Sequence, residues 1–277
     1  MDRRKPKIDA EAGLASPLGA VISYNDQATL GMVRDAIDTR RLRLAFQPVV
    51  LACDPSKVAF YEGLIRVLDP TGRIIPAKDF VAAIDQNELG REIDCASLEM
   101  GLSTLARHPD LRISINMSAR SIGYERWLRI LKKGLAAGPT IGERLILEIT
   151  ESSAMLVPEV VISFMETMQD KGVAFALDHF GSGSTAIRYF KDFLFDILKI
   201  DGQFIRNINT DPDNAAIAAA LLSIGKHFGM LTVAEMVETV EEAELLRTLG
   251  VDCLQGFLFG APTVKPDFLA PADRKRA

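Results

Sequence analysis

Short apolar runs alternate with helical stripes along most of this chain, and that alternation limits the possible folds more than any other feature. Val173-Ala174-Phe175-Ala176-Leu177 is the clearest run. It is apolar on both faces, as a strand is when helices cover both sides of a parallel sheet. Further strands are expected at Leu42–Val50, Val58–Leu68, Leu111–Met117, Arg144–Thr150, Asp196–Ile200, Leu231–Glu235 and Val251–Phe257. Helical patterns fall at Asn25–Arg41, Ala77–Gln86, Glu92–Arg107, Tyr124–Ala137, Pro158–Lys171, Ala186–Lys191, Pro212–Phe228 and Val240–Leu249. A helix thus separates every pair of successive strands except the first. The first link, Leu51–Lys57, is too short for a parallel crossover, which takes about a dozen residues or more, so these two strands should be antiparallel. The expected fold is α/β, a TIM-like (β/α)8 barrel with an antiparallel first strand. A flavodoxin-like open sheet is the runner-up, although such sheets usually have fewer strands.

The length of 277 residues suits one such barrel. Residues 1–26 are polar and weakly periodic and read as a tail or linker, with a barrel domain over 27–265 and a second tail over 266–277. The formal net charge of -5 argues against a partner that is a nucleic-acid polymer, because phosphate-tracking surfaces need basic excess. An anionic small molecule stays possible where a metal or a few local cations receive it. No apolar run is long enough to span a bilayer, and the basic start lacks the apolar core of a secretory signal. Cys53, Cys95 and Cys253 have no paired metal spacing and read as reduced thiols of a cytoplasmic protein. His108 reads as a solvated loop residue, His227 as a complement to a helix end, and Trp127 as core or interface.

Polar residues interrupt the apolar runs near their carboxyl ends. In strand order these are Glu62, Asn116, Glu148, Asp178 with His179, Lys199, Glu235 and Gln255. Barrel strands converge on one mouth, so carboxylates, an amide, an imidazole and a lysine would surround a common point. So many acids in one place raise each other's pKa unless cations neutralise them. Oxygen-rich donors favour Mg²⁺ or Mn²⁺, and a pair of such ions could clamp a phosphodiester and activate water. Taken alone, Asp178 and His179 could equally be a turn cap beside a packed imidazole, and Lys199 a strand-end ion pair. An acid-lined mouth with a lysine would also suit metal-assisted enolisation or aldol chemistry.

Tyr61-Glu62-Gly63-Leu64-Ile65-Arg66 resembles the Glu-Ala-Leu signature of the EAL domain family, the cyclic di-GMP phosphodiesterases. Gln47-Pro48-Val49-Val50 precedes it. Asn116-Met117-Ser118, Glu148-Ile149-Thr150-Glu151, Leu198-Lys199-Ile200-Asp201, Ala234-Glu235-Met236-Val237-Glu238 and Gln255-Gly256 follow in the family's order. The resemblance covers about Leu30 to Pro262 and implies a barrel with an antiparallel first strand. It implies that Glu62, Asn116, Glu148 and Asp178 bind a first metal, with Asp178 bridging to a second. Lys199 and Glu235 match groups that orient or activate the attacking water. Gln47, Arg66 and Gln255 match substrate-side groups, and Glu151 the acid that fixes the loop after the fifth predicted strand, Gly181–Thr185. The implied reaction is hydrolysis of cyclic di-GMP to linear pGpG. The implied partners are the nucleotide, a second copy in a homodimer, and a sensory or signalling partner.

Two positions depart from the pattern. Gly63 stands where the family usually has Ala, with mild loosening of the backbone expected. His179 stands where a second Asp is usual, at the second metal. An imidazole ligates Mn²⁺ or softer ions well and Mg²⁺ poorly, so preference should move toward Mn²⁺ or a softer ion. The competing reading is that His179 disables this second site, leaving a silent cyclic di-GMP receptor.

Overall fold

This computed structural model describes residues 29–75, 80, 84, 87–182 and 191–269. The expected tail over 1–26, nearly all of the helix over 77–86, all of the helix over 186–191 but its last residue, and loop residues 183–185 lie outside the described residues. So does the end of the expected tail over 266–277. The described residues divide into two compact units, one within Met1–Leu42 and Val67–Gly90, the other within Arg43–Arg66 and Arg91–Ala277.

In the smaller unit a helix over residues 29–38 buries Val33 and Ala36. Arg41 Nη1 then donates to the Leu68 carbonyl at 2.6 Å. Asp69 Oδ1 accepts the amides of Thr71 and Arg73, closing a turn with Gly72 at φ 84°. That turn pairs Val67 with Ile75.

The larger unit is a closed barrel. Its strands are β1 (Leu42–Leu51), β2 (Asp54–Leu68), β4 (Ile113–Asn116), β5 (Leu145–Thr150), β6 (Ala174–Phe180), β7 (Ile197–Ile200), β8 (Leu231–Ala234) and β9 (Cys253–Gln255), with the short β3 (Ile74–Ile75) outside it. Neighbours run in the order β1-β9-β8-β7-β6-β5-β4-β2, and β1–β2 closes the circle. From β2 to β9 every pairing is parallel, while β1 is antiparallel to β9. The fold is therefore a TIM-like (β/α)8 barrel with an antiparallel first strand.

The first link is tighter than expected. Only Ala52 and Cys53 separate β1 from β2, because β2 begins at Asp54. Residues 55–57, ahead of the expected start at Val58, are exposed and carry no apolar alternation, which hid them as strand. β6 also continues three residues beyond its expected end, with Phe180 buried and paired to Ile200. The helix expected from Glu92 begins four residues earlier, at Glu88, while the helices expected from Pro158, Pro212 and Val240 begin at those residues. Pro158 and Pro212 occupy first turns, Asp211 caps the helix Pro212–His227, and Thr239 with Glu242 forms a capping box on Val240–Leu249. Gly250 ends that last helix at φ 81°, where a side chain would be strained.

Helices cover the outer wall. Trp127, Leu98, Leu131, Met165 and Phe175 lie in one continuous core between the strands and helices. Arg144 Nη1 donates to the carbonyls of Leu105, His108 and Leu111, tying a helix end to the start of β5. His108 is half-buried rather than solvated, edge-on to Phe268, which also packs against Phe46 and Tyr61. Among the described residues no helix is long and apolar enough to cross a membrane.

Inside the barrel, Val49, Phe60, Ile146, Ala176, Ile197, Val233 and Cys253 form an apolar plug. Side chains on one face of a strand recur every second residue. The next interior position along β2, β5, β6, β7, β8 and β9 is therefore Glu62, Glu148, Asp178, Lys199, Glu235 and Gln255. β1 runs the other way, so its matching residue is Gln47, two before Val49. On β4 the pair is Ser114 and Asn116.

Candidate metal centre

Each of the eight barrel strands supplies one polar side chain to this layer, and Lys199 stands at its middle. Its side chain is fully buried, with Nζ 2.9 Å from Glu148 Oε2, 3.1 Å from Glu62 Oε2, 3.0 Å from Glu235 Oε1 and 3.2 Å from Asp178 Oδ1. Glu62 is held from the sides as well. Asn116 Nδ2 donates to its Oε1 at 2.8 Å, and Gln255 Nε2 to its Oε2 at 2.6 Å. Gln255 Nε2 also reaches Gln47 Oε1 at 3.2 Å, and Gln47 Nε2 donates to the Gly260 carbonyl at 3.1 Å. Gly256 makes this corner possible. A Cβ there would lie 1.9 Å from the Val237 carbonyl oxygen, whose own amide bonds the Gln255 carbonyl at 3.0 Å.

One ammonium cannot neutralise four buried carboxylates. Burial, with Glu62 alongside, pushes Glu148 up to about 8, and burial with Asp178 alongside pushes Glu235 up to about 8. At Asp178 burial also acts upward, but Lys199 and His179 outweigh it and the carboxyl falls below its ordinary value. Lys199 is driven well up by the surrounding acids against the opposing effect of burial. Glu148 Oε1, Asp178 Oδ1 and Glu235 Oε2 are buried without a hydrogen-bond partner; the Asp178–Lys199 contact lacks hydrogen-bond alignment. Orphaned carboxylate oxygens and excess negative charge are what a divalent cation would satisfy. The donor set of carboxylates, one amide and one imidazole fits Mg²⁺ or Mn²⁺ and softer ions.

His179 enters this layer by an irregularity. A regular strand would turn it away from Asp178, but the β6–β7 register shifts between Leu177 and Phe180, and His179 has φ 55°. Asp178, His179 and Glu235 consequently offer ligand atoms within 4.8 Å of one another. His179 Nε2 lies 3.5 Å from Asp178 Oδ2, and Nδ1 lies 3.0 Å from Asp201 Oδ2.

Two other residues singled out from the sequence sit beyond the ring. Arg66 is half-buried two alternations beyond Glu62, with Nη1 3.1 Å from the Ile65 carbonyl, and among the described residues it bonds no ring side chain. Burial lowers its pKa against the attraction of Glu62. Glu151 opens a short helix, Glu151–Ala154, and its Oε2 accepts the Gly181 amide at 2.9 Å. Gly181 has φ 93°, and a Cβ there would meet Phe204 at 2.8 Å. The sequence pattern assigns Asp201 no role; its one signal is a spacing of two from Lys199, which continues the interior face.

Barrel and mouth define a class: a TIM-like barrel protein with a cluster of buried acids at the carboxyl ends of its strands. The family description "EAL domain" matches residues 31–262, and the chain belongs to the EAL domain family. Among curated relatives, MucR of Pseudomonas aeruginosa is named a bifunctional diguanylate cyclase/cyclic di-GMP phosphodiesterase. It is 32% identical over 243 residues, covering 86% of this chain and 35% of MucR. PdeB of Shewanella oneidensis, named a cyclic di-GMP phosphodiesterase, is 31% identical over 247 residues, covering 87% of this chain and 29% of PdeB. The chain thus spans about a third of the length of these relatives. The solved PaMucR phosphodiesterase, a c-di-GMP complex, matches with a TM-score of 0.78 at 30% identity, covering 90% of this chain and 99% of that one. The FimX EAL domain from Pseudomonas aeruginosa, at 24% identity and a TM-score of 0.77 over 86% of this chain and 97% of that one, supports the fold alone.

Proposed function

We propose that this chain is a metal-dependent phosphodiesterase domain that opens cyclic di-GMP at one phosphodiester bond to give linear pGpG. The observation that carries this reading is the buried ring around Lys199, with three carboxylate oxygens lacking partners, in a member of the EAL family. The names of MucR and PdeB supply the substrate.

In this reading Glu62, Asn116, Glu148, Asp178 and His179 would hold the divalent ions. The ions would offset the negative charge of the phosphodiester and make water a stronger nucleophile. Lys199 keeps the acids of the ring gathered and Asp178 ionised. Glu235 Oε2, without a hydrogen bond, is the atom that takes a proton from the attacking water. Water adds to phosphorus, and the P–O3′ bond breaks to leave a 5′-phosphate, the released O3′ taking up a proton from solvent as its hydroxyl. Arg66 engages a phosphate oxygen, and Gln47 and Gln255 supply polar contacts on the substrate side. Glu151 anchors the start of the loop through the Gly181 amide.

A second reading, a cyclic di-GMP receptor without turnover, is favoured by one observation. Where the family resemblance implies an acid for the second ion, an imidazole already engages Asp201 at 3.0 Å. The purified protein incubated with cyclic di-GMP in parallel Mn²⁺ and Mg²⁺ series, with pGpG followed by chromatography, separates the two. Product, in greater yield with Mn²⁺, is the expected result. Tight binding without product would establish the receptor, and neither binding nor product would remove both readings.

A further inference from the structure

We infer that Asp201 is a positioning residue that decides which imidazole nitrogen His179 presents to a metal ion, an assignment that rests on the metal-centre reading above. The chain of contacts begins in the backbone. Asp201 follows β7 and caps a short turn, its Oδ1 accepting the Gln203 amide at 2.8 Å. That bond fixes the carboxylate, and its other oxygen, Oδ2, lies 3.0 Å from His179 Nδ1. Glu235 Oε2 faces the same nitrogen at 3.6 Å, beyond hydrogen-bond range. Asp201 is therefore the acceptor for an Nδ1–H.

In the neutral ring, the form that can ligate a metal, a proton on Nδ1 leaves the lone pair on Nε2, which faces Asp178 Oδ2 at 3.5 Å. Two lone-pair atoms so placed repel unless a cation lies between them. Both atoms are close enough for one cation to take them as ligands together. Carboxylates bonded to the far nitrogen of a ligating imidazole set its tautomer and raise its basicity, and their loss weakens metal binding about 10–100-fold. The His179 side chain is 44% exposed, so the carboxylate on Nδ1 supplies an orientation that burial alone does not.

The test uses metals alone, without nucleotide. In the metal-free protein, long-range ¹H–¹⁵N correlation of the His179 ring should report the Nδ1–H form, and Asp201→Asn should lose that preference. Mn²⁺ affinity, followed by the electron paramagnetic resonance of the free ion, should fall about tenfold or more in Asp201→Asn, with Mg²⁺ affinity falling much less. In a His179→Ala background the same exchange should change Mn²⁺ affinity less than twofold. Asp201→Ser is the second variant, because a serine oxygen still caps the turn but cannot reach the ring. An unchanged tautomer, equal losses for both metals, or a full loss in the His179→Ala background would overturn the assignment. No readout involves turnover, so a protein that fails to hydrolyse cyclic di-GMP leaves this result standing.

Discussion

Lys199 is a single ammonium among four buried carboxylates, and its removal separates charge pairing from metal binding. Lys199→Met should lower stability in EDTA by about 3–5 kcal/mol, the usual cost of breaking a buried ion pair from one side. Urea melts with and without Mn²⁺ check this, because added ion should recover more stability in the variant than in the parent. Equal stability of both proteins in EDTA would mean that protonated acids hold the ring unaided. The acids also give metal-free protein a pH dependence of defined sign. Glu148 and Glu235 rise from an ordinary 4.5 to about 8 in the fold. The folded state binds more protons than the unfolded state between those values. Stability from these groups is therefore complete below 4.5 and is lost as pH rises through about 8. In EDTA the melting temperature should fall from pH 6 to pH 8.5, an interval set by those shifts, and saturating Mn²⁺ should flatten the slope. A slope unchanged by the ion would place the titrating groups elsewhere.

At the scale of strands, Gly63 has a different role from the one expected of it. A Cβ there would lie 2.8 Å from Ile115 Cδ1 and 3.0 Å from Leu44, and a Cβ on Gly101 would lie 2.6 Å from the same Ile115 methyl. Gly63 makes room for a large neighbour on β4. Gly63→Ala should cost about 1–3 kcal/mol by overpacking, and Ile115→Val, which removes the clashing methyl, should recover most of that. A denaturant double-mutant cycle measures the coupling, and simple additivity would discard the packing account. The same strands explain what was legible. Interior positions recur every two residues, so an acid in an apolar run stood out, and Glu62, Glu148, Asp178 and Glu235 were visible as a set. Asp201 keeps that spacing but lies past the strand end, beside a glycine, where an acid reads as a turn cap. It is in fact one. The start of β2 was hidden because its exposed residues carry no pattern. The left-handed turn at His179 has no local sequence signal; it coincides with the register shift between β6 and β7, a pairing of residues distant in sequence.

For the whole barrel, closure is the governing fact. β1 joins both β2 and β9, so the ring has no free edge, and releasing β1 requires breaking two ladders. The cysteines can report whether it opens in parts. Cys53 is exposed in the tight first turn, Cys253 lies in the apolar plug, and Cys95 lies outside the strands in the larger core. Burial pushes both hidden thiols up to about 12, so neither reacts while the fold is intact. In a Cys53→Ser variant, both thiols should therefore label only through unfolding. If the barrel is one cooperative unit, Cys95 and Cys253 label at equal rates under conditions where closing outpaces reaction. Peptide mass spectrometry after timed exposure to a thiol reagent gives both rates in one sample. Mn²⁺ at 100 times its dissociation constant should slow both about a hundredfold, because an ion held only by the folded ring stabilises the whole ring. Cys253 labelling ten times faster than Cys95 would instead reveal opening along β1 and β9 alone. The antiparallel strand that completes the circle would then also be its weakest seam.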